Sequence, residues 1–146
     1  MYLNTVSFTI SRLRELELAH FGITVEQSSI LKVLIDSGKP VTSKYLENAT
    51  LRQHHSISTI INRMMKLNLV DRERKPGEKS SRIFLTDNGR LVLSQMTTKA
   101  IDVTFCVLSD TEKQSLTVCL HLIYAKARDL LGMPNMASST VLSSSD

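Results

Sequence analysis

The tightest constraint in this chain lies between Thr24 and Thr86, where three short helical patterns are followed at once by two strand-like stretches around a Pro-Gly turn. Thr24-Val25-Glu26-Gln27 reads as a capping box: the threonine hydroxyl accepts from the Gln27 amide and the Gln27 side chain reaches back. The helix it opens runs to about Ser37, with Gly38 as a left-handed stop and Pro40 barring continuation. Ile30, Leu31, Leu34 and Ile35 would face a core. Thr42 caps a second helix to about Asn48, Thr50-Leu51-Arg52 forms a turn, and a third helix spans Gln53 to Leu67. In that third helix Ile57, Ile60, Ile61, Met64 and Met65 recur at helical spacing, and Ser56, Ser58, Thr59, Asn62, Arg63 and Lys66 take the other faces. Leu69 to Arg74 and Arg82 to Thr86 have strand character, and the basic loop from Lys75 to Ser81 joins them as a long-tipped β-hairpin.

The flanks are helical. From residue 2 to 20, Leu3, Val6, Ile10 and Leu13 form one stripe that Leu16 and Leu18 widen, and Gly22 ends the element. Thr86 caps a helix, with Asp87 in its first turn, that is expected to continue to about Leu108 through Leu91, Val92, Met96, Ile101, Val103, Phe105 and Val107. Ser109-Asp110-Thr111-Glu112 is a second capping box, and its helix reaches Leu131 before Gly132 and Pro134 stop it. A serine-rich tail, 133–146, has little to bury and is expected to be disordered. Neither terminal stripe has a neighbour in sequence that would cover it.

Composition narrows the class. A chain of 146 residues with 42% apolar and 22% charged residues is one ordinary globular domain's worth. No apolar run approaches the roughly 20 residues that span a bilayer, and no secretory signal pattern opens the chain, so a cytoplasmic protein is expected. Cys106 and Cys119 are too few for a disulfide framework and read as small apolar fillers of helix faces, with a redox-sensing thiol as the alternative. The formal charge is +4, but it is unevenly placed: residues 39–82 hold ten Lys or Arg against four acids, a net +6, and the remainder is −2. That concentration suits either a solvated surface or a footprint for phosphates. No nucleophile motif, Gly-rich phosphate loop or placed carboxylate pair is present, so no enzyme, cofactor or metal is expected.

Three helices followed by a basic hairpin is the order of a winged helix-turn-helix. A major groove about 12 Å wide admits one α-helix that has an apolar back and short polar side chains in front, and residues 53–62 meet both needs. The sequence resembles the MarR family of bacterial winged-helix transcription regulators over roughly residues 3–132. The resemblance is carried by Gly22-Ile23-Thr24-Val25-Glu26-Gln27, by Ser58-Thr59-Ile60-Ile61-Asn62-Arg63, and most by Leu69-Val70-Asp71-Arg72 followed at wing distance by Leu85-Thr86-Asp87-Asn88-Gly89.

The resemblance implies a mainly α fold with a small β-hairpin wing. Residues 1–22 and 87–132 would form a helical dimerisation region, and 23–86 a winged helix-turn-helix that binds DNA. It implies a homodimer, double-stranded DNA as partner, and a palindromic site with half-sites about one helical turn apart. The family's base-contacting positions fall on His55, Ser56 and Thr59, with Gln53 and His54 beside them; the two histidines also read as exposed residues at a helix start. Thr42, Ser43, Lys44 and Arg52 are expected at the phosphates. The wing departs from the family's Asp-Arg-Arg-like run, having Gly77-Glu78-Lys79-Ser80-Ser81-Arg82 instead, so Lys79 is expected at the tip with Lys75 and Arg82 in support. Arg72 is expected to pair with an acid inside the domain. Family members often bind a small aromatic or phenolic effector between dimerisation helices and winged domain. Arg12, Arg14, His20 and Phe21 are the candidates here, and the reading favoured for them is helix-surface charges and a satisfied histidine. The peroxide-sensing branch would need a cysteine near the first helix, and a zinc sensor would need more ligands than His20 and His121. The competing reading is a winged-helix protein-interaction module that binds no DNA.

Overall fold

The computed structural model describes residues 2–133, which fall into two compact units, one ending at Thr104 and the other beginning at Phe105. The first holds α1 (Tyr2–Ala19), α2 (Val25–Ser37), β1 (Val41–Thr42), α3 (Ser43–Thr50), α4 (His54–Lys66), β2 (Val70–Glu73), β3 (Arg82–Leu85), α5 (Asp87–Gln95) and most of α6 (Lys99–Phe105). The second is dominated by α7 (Asp110–Leu130). The expected tail lies beyond Met133, outside the described residues, except for Met133 itself.

The local signals act as read. Thr24 closes both halves of its capping box, with the Gln27 amide on its hydroxyl at 3.3 Å and its own amide on the Gln27 side chain at 2.9 Å. Gly38 sits at φ 62, the left-handed conformation that favours glycine. Thr86 accepts the Gly89 amide at 3.0 Å and donates to the Asn68 carbonyl at 2.6 Å, so one hydroxyl fastens the start of α5 to the chain entering β2.

Two readings need correction. The hairpin is part of a three-stranded antiparallel sheet in the order β1-β3-β2, with Val41 opposite Ile83 and Thr42 opposite Arg82. Two residues are too short to show alternation, and Thr42 doubles as the cap of α3 by accepting the Tyr45 amide at 3.3 Å. The helix opened by Thr86 does not run to Leu108. It stops at Gln95, Met96 turns extended at ψ 129, and α6 begins at Lys99.

The apolar core is one cluster: Leu18 and Ile23, the inner faces of α2, α3 and α4, Val41, Leu69 and Val70, and Ile83 and Leu85. In α4 the buried residues are Ile57, Ile61 and Met64, one stripe at 4-3 spacing. Gly89 is fixed by contact, because a Cβ there would lie 1.9 Å from the Leu69 carbonyl oxygen. By contrast Leu3, Val6, Leu13 and Leu16 of α1 are exposed, and so are Val118, Leu120, Leu122, Ile123 and Tyr124 of α7. Both cysteines are exposed rather than filling a packed face. No single helix among the described residues is long and apolar enough to cross a membrane.

Candidate nucleic-acid interface

Helix α4 is held by its buried stripe, so its opposite side is presented outward. Gln53, His54, His55 and Thr59 are exposed and Ser56 is half-buried. Gln53 is the N-cap residue but makes no side-chain cap bond, unlike Thr24, Thr42 and Thr86. The Thr59 hydroxyl donates back to the His55 carbonyl at 2.9 Å.

The candidate residues sort into two clefts flanking α4. On the wing side, Thr42, Ser43, Lys44 and His54 share a cleft of about 580 Å³ with Ser80 and Ser81. On the other side, Arg52, His55, Ser56 and Thr59 share a cleft of about 490 Å³ with Glu26 and Arg63. Each cleft contains a carboxylate that sequence reasoning passed over. The Glu47 side chain, only 11% exposed, accepts from His54 Nδ1 at 2.6 Å and from Lys44 Nζ at 3.3 Å. The His54 bond first, and the Lys44 ammonium after burial has worked the other way, hold the Glu47 carboxyl below the usual range. Arg52 pairs with Glu26 at 3.4 Å. The Glu26 carboxyl is lowered chiefly by its own backbone N–H and by the Thr24 hydroxyl, with Arg52 a lesser cause. The i to i+4 spacing of His54 and Ser58 puts Ser58 on the wing side too, a signal the sequence already carried.

The wing divides its cations unequally. Arg82 donates from Nε and Nη2 to both oxygens of Glu78, at 3.0 and 2.9 Å, and this contact lowers the Glu78 carboxyl and raises the Arg82 guanidinium. Arg74 donates to the Glu78 carbonyl at 3.1 Å. Lys75 and Lys79 are exposed around the Gly77 turn and have no ion pair among the described residues. Arg72 does not find the acid expected for it. Its guanidinium donates to the Asn62 side-chain oxygen and to the Met65 sulfur, which ties β2 to α4.

The effector candidates separate. His20 and Phe21 line an open, mostly apolar cleft of about 660 Å³ together with Leu13, Glu17, Ala100 and Val103. Arg12 and Arg14 do not line it. Arg12 is in an exposed pair with Glu15, and Arg14 braces the cleft wall from behind by pairing with Glu17 at 2.6 Å. His20 Nδ1 donates to the Leu16 carbonyl at 3.2 Å, which leaves Nε2 as the ring's second hydrogen-bonding atom. Among the described residues, no group of three or more His, Cys, Asp or Glu could hold a metal ion.

Comparison with known proteins agrees with this architecture. Residues 21–79 match the sequence model of the MarR family. No curated protein matches the chain in sequence. Among solved structures, the chain is similar to a mutant of MarR from E. coli complexed with operator DNA, at 18% identity, TM-score 0.77, and 84% and 90% coverage of this chain and that one. It is similar to the S. aureus MepR–DNA complex at 19% identity, TM-score 0.76, covering 86% and 95%. It is also similar to CouR from Rhodococcus jostii bound to p-coumaroyl-CoA, at 18% identity, TM-score 0.75, covering 84% and 88%. The chain thus matches the MarR family's sequence model over residues 21–79 and shares the fold of MarR-family winged helix-turn-helix structures.

Proposed function

We propose that this chain is a homodimeric, sequence-specific DNA-binding regulator of transcription, not an enzyme, acting in the cytoplasm as a repressor at a palindromic operator. The observation that carries the reading is α4. It is anchored by Ile57, Ile61 and Met64 and turns His55, Ser56 and Thr59 outward in a segment of net positive charge. Solved structures of the same fold, from E. coli and S. aureus, hold DNA. Hydroxyl and imidazole groups of this length reach base edges, while Thr42, Ser43, Lys44 and Arg52 serve phosphates. Residues 23–86 act as the DNA-binding domain, with Lys75 and Lys79 at the wing tip reaching the neighbouring minor groove.

Residues 1–22 and 87–132 form the dimerisation region in this reading. The exposed apolar side chains of α1 and α7 supply the surface that a second copy would cover. An effector with an aromatic body would enter the cleft beside His20 and Phe21, whose size is that of an ordinary ligand pocket. By favouring one spacing of the two α4 helices over another, it would release the operator.

The test is selection of genomic fragments by the purified protein, followed by fluorescence anisotropy on the recovered site. A palindrome, and affinity that falls steeply with salt, are expected. Ser56→Ala or Thr59→Ala should cost about 1–3 kcal/mol on the selected site if each makes a good base contact. A dimer that selects no sequence and binds no DNA at low salt would instead favour an interaction module.

A further inference from the structure

The interruption between α5 and α6 is not the work of a glycine or a proline. From Arg90 to Leu108 the sequence contains neither Gly nor Pro, and apolar residues continue on both sides of the break. Sharp breaks in helices need an identifiable agent, and here it stands on α1, some eighty residues earlier in the chain. The Arg14 guanidinium donates to the Thr97 carbonyl, which is thereby occupied from outside the helix. The Thr97 hydroxyl donates to Glu17 Oε1, while Glu17 Oε2 pairs with Arg14 at 2.6 Å. The Ala100 amide, one of the first-turn N–H groups of α6, bonds the same carboxylate. After the break the helix restarts with the Asp102 amide on the Thr98 carbonyl at 2.9 Å and the Thr98 hydroxyl on Asp102 Oδ2 at 2.8 Å.

The side chains of Arg14 and Glu17 are only 13% and 14% exposed, while Thr97 is exposed, so the ion pair is covered and its outer partner faces solvent. Such clusters hold only while every partner is present, since losing one leaves another charge unmatched. It also stands at the cleft. Leu13, Glu17 and Phe21 form one wall, and Thr97, Ala100 and Val103 form the other.

We infer that Glu17, with Arg14, is a positioning residue for the cleft: it bolts the helix break at Met96–Thr98 to α1, sets the separation of the two walls, and thereby links ligand occupancy to closure of the break. This regulatory consequence rests on the effector reading above, whereas the bolt itself does not. If a ligand binds best between bolted walls, then by reciprocity the ligand must tighten the bolt.

Hydrogen exchange on the full chain, resolved over residues 97–102, tests both parts, with 1-naphthol as the probe ligand. Glu17→Gln should speed exchange in that segment about tenfold or more, while amides of residues 57–64 keep their wild-type rates and report an intact winged core. Thr97→Val, which keeps shape and removes the hydroxyl, should produce a smaller change in the same segment. Saturating 1-naphthol should slow exchange there in the wild type, and E17Q should weaken the naphthol Kd about tenfold, within the usual range of coupling between sites. Unchanged exchange in E17Q would overturn the bolt. Faster exchange with an unchanged naphthol Kd would overturn the linkage. If 1-naphthol binds neither protein, the effector reading of the cleft falls and the linkage with it, and the exchange rates alone then decide the bolt.

Discussion

The apolar side chains between Leu18 and Leu85 and those of α7 have opposite fates. The first set closes on itself: Leu18, Ile30, Leu31, Leu46, Ile57 and Met64 are completely buried within one cluster. Helix α7 is the longest described, at 21 residues, yet Arg128 is its only buried residue. It is well formed locally, since Ser109 and Glu112 complete a capping box at its start. Local signals can shape a helix, but most of a helix's stability comes from what it packs against. The winged segment carries its own core, while α7 carries a surface suited to one.

The contrast can be broken most severely at Leu31. Leu31→Ala should cost about 3 kcal/mol or more, by lost burial and a cavity, at any protein concentration in chemical denaturation. Ile123→Ala on α7 should lower stability in a concentration-dependent way, as expected if its partner is another copy. A concentration-independent loss equal to that of Leu31 would erase the distinction. Next in size is Gly89→Ala. Its Cβ meets a backbone carbonyl and cannot be accommodated by a side-chain rotation, so about 2–3 kcal/mol of destabilisation is expected in the same assay. Smaller still is Ser109→Ala, which removes a helix cap and should cost about 1 kcal/mol, seen as faster exchange in the first turn of α7 with rates in α4 unchanged.

The smallest effect is a pH dependence. Burial opposes ionisation of Glu17, but hydrogen bonds from Thr97 and Arg14 outweigh it and leave the carboxyl lower than its ordinary 4.5. A lowered folded value means that the contribution is complete above the unfolded value and fades as pH falls through it towards the folded one. Stability measured from pH 6 down to pH 3 should therefore decline less steeply in Glu17→Gln than in the wild type.

These same contrasts divide what the sequence reveals from what it hides. Caps at Thr24, Thr42, Thr86 and Ser109 are legible because donor and acceptor lie within three residues of each other. The α4 stripe is legible because periodicity is local. Strand β1 is not, because its two residues owe their conformation to β3, forty residues away. The break after Gln95 is invisible for the same reason, being held by Arg14 and Glu17. At the candidate interface the residue types on α4 can be read directly, but their division between two clefts depends on which neighbours crowd each side. The partner of Arg72 is not legible either, because an amide, Asn62, stands in the place of a carboxylate. The role of Glu47 is hidden because nothing in a linear chain links it to His54.

The Glu78–Arg82 pair alters what the hairpin has to offer. With Arg72, Arg74 and Arg82 each engaged by a neighbour, the lysines at residues 75 and 79 are left to represent the loop's charge, far from its root. Under the proposed DNA-binding function such a hairpin would work as an arm, its length and stiffness, more than its total number of cations, deciding what the hand can touch. Trimming two residues from the tip would then resemble amputation, whereas neutralising Arg82 would only loosen the elbow.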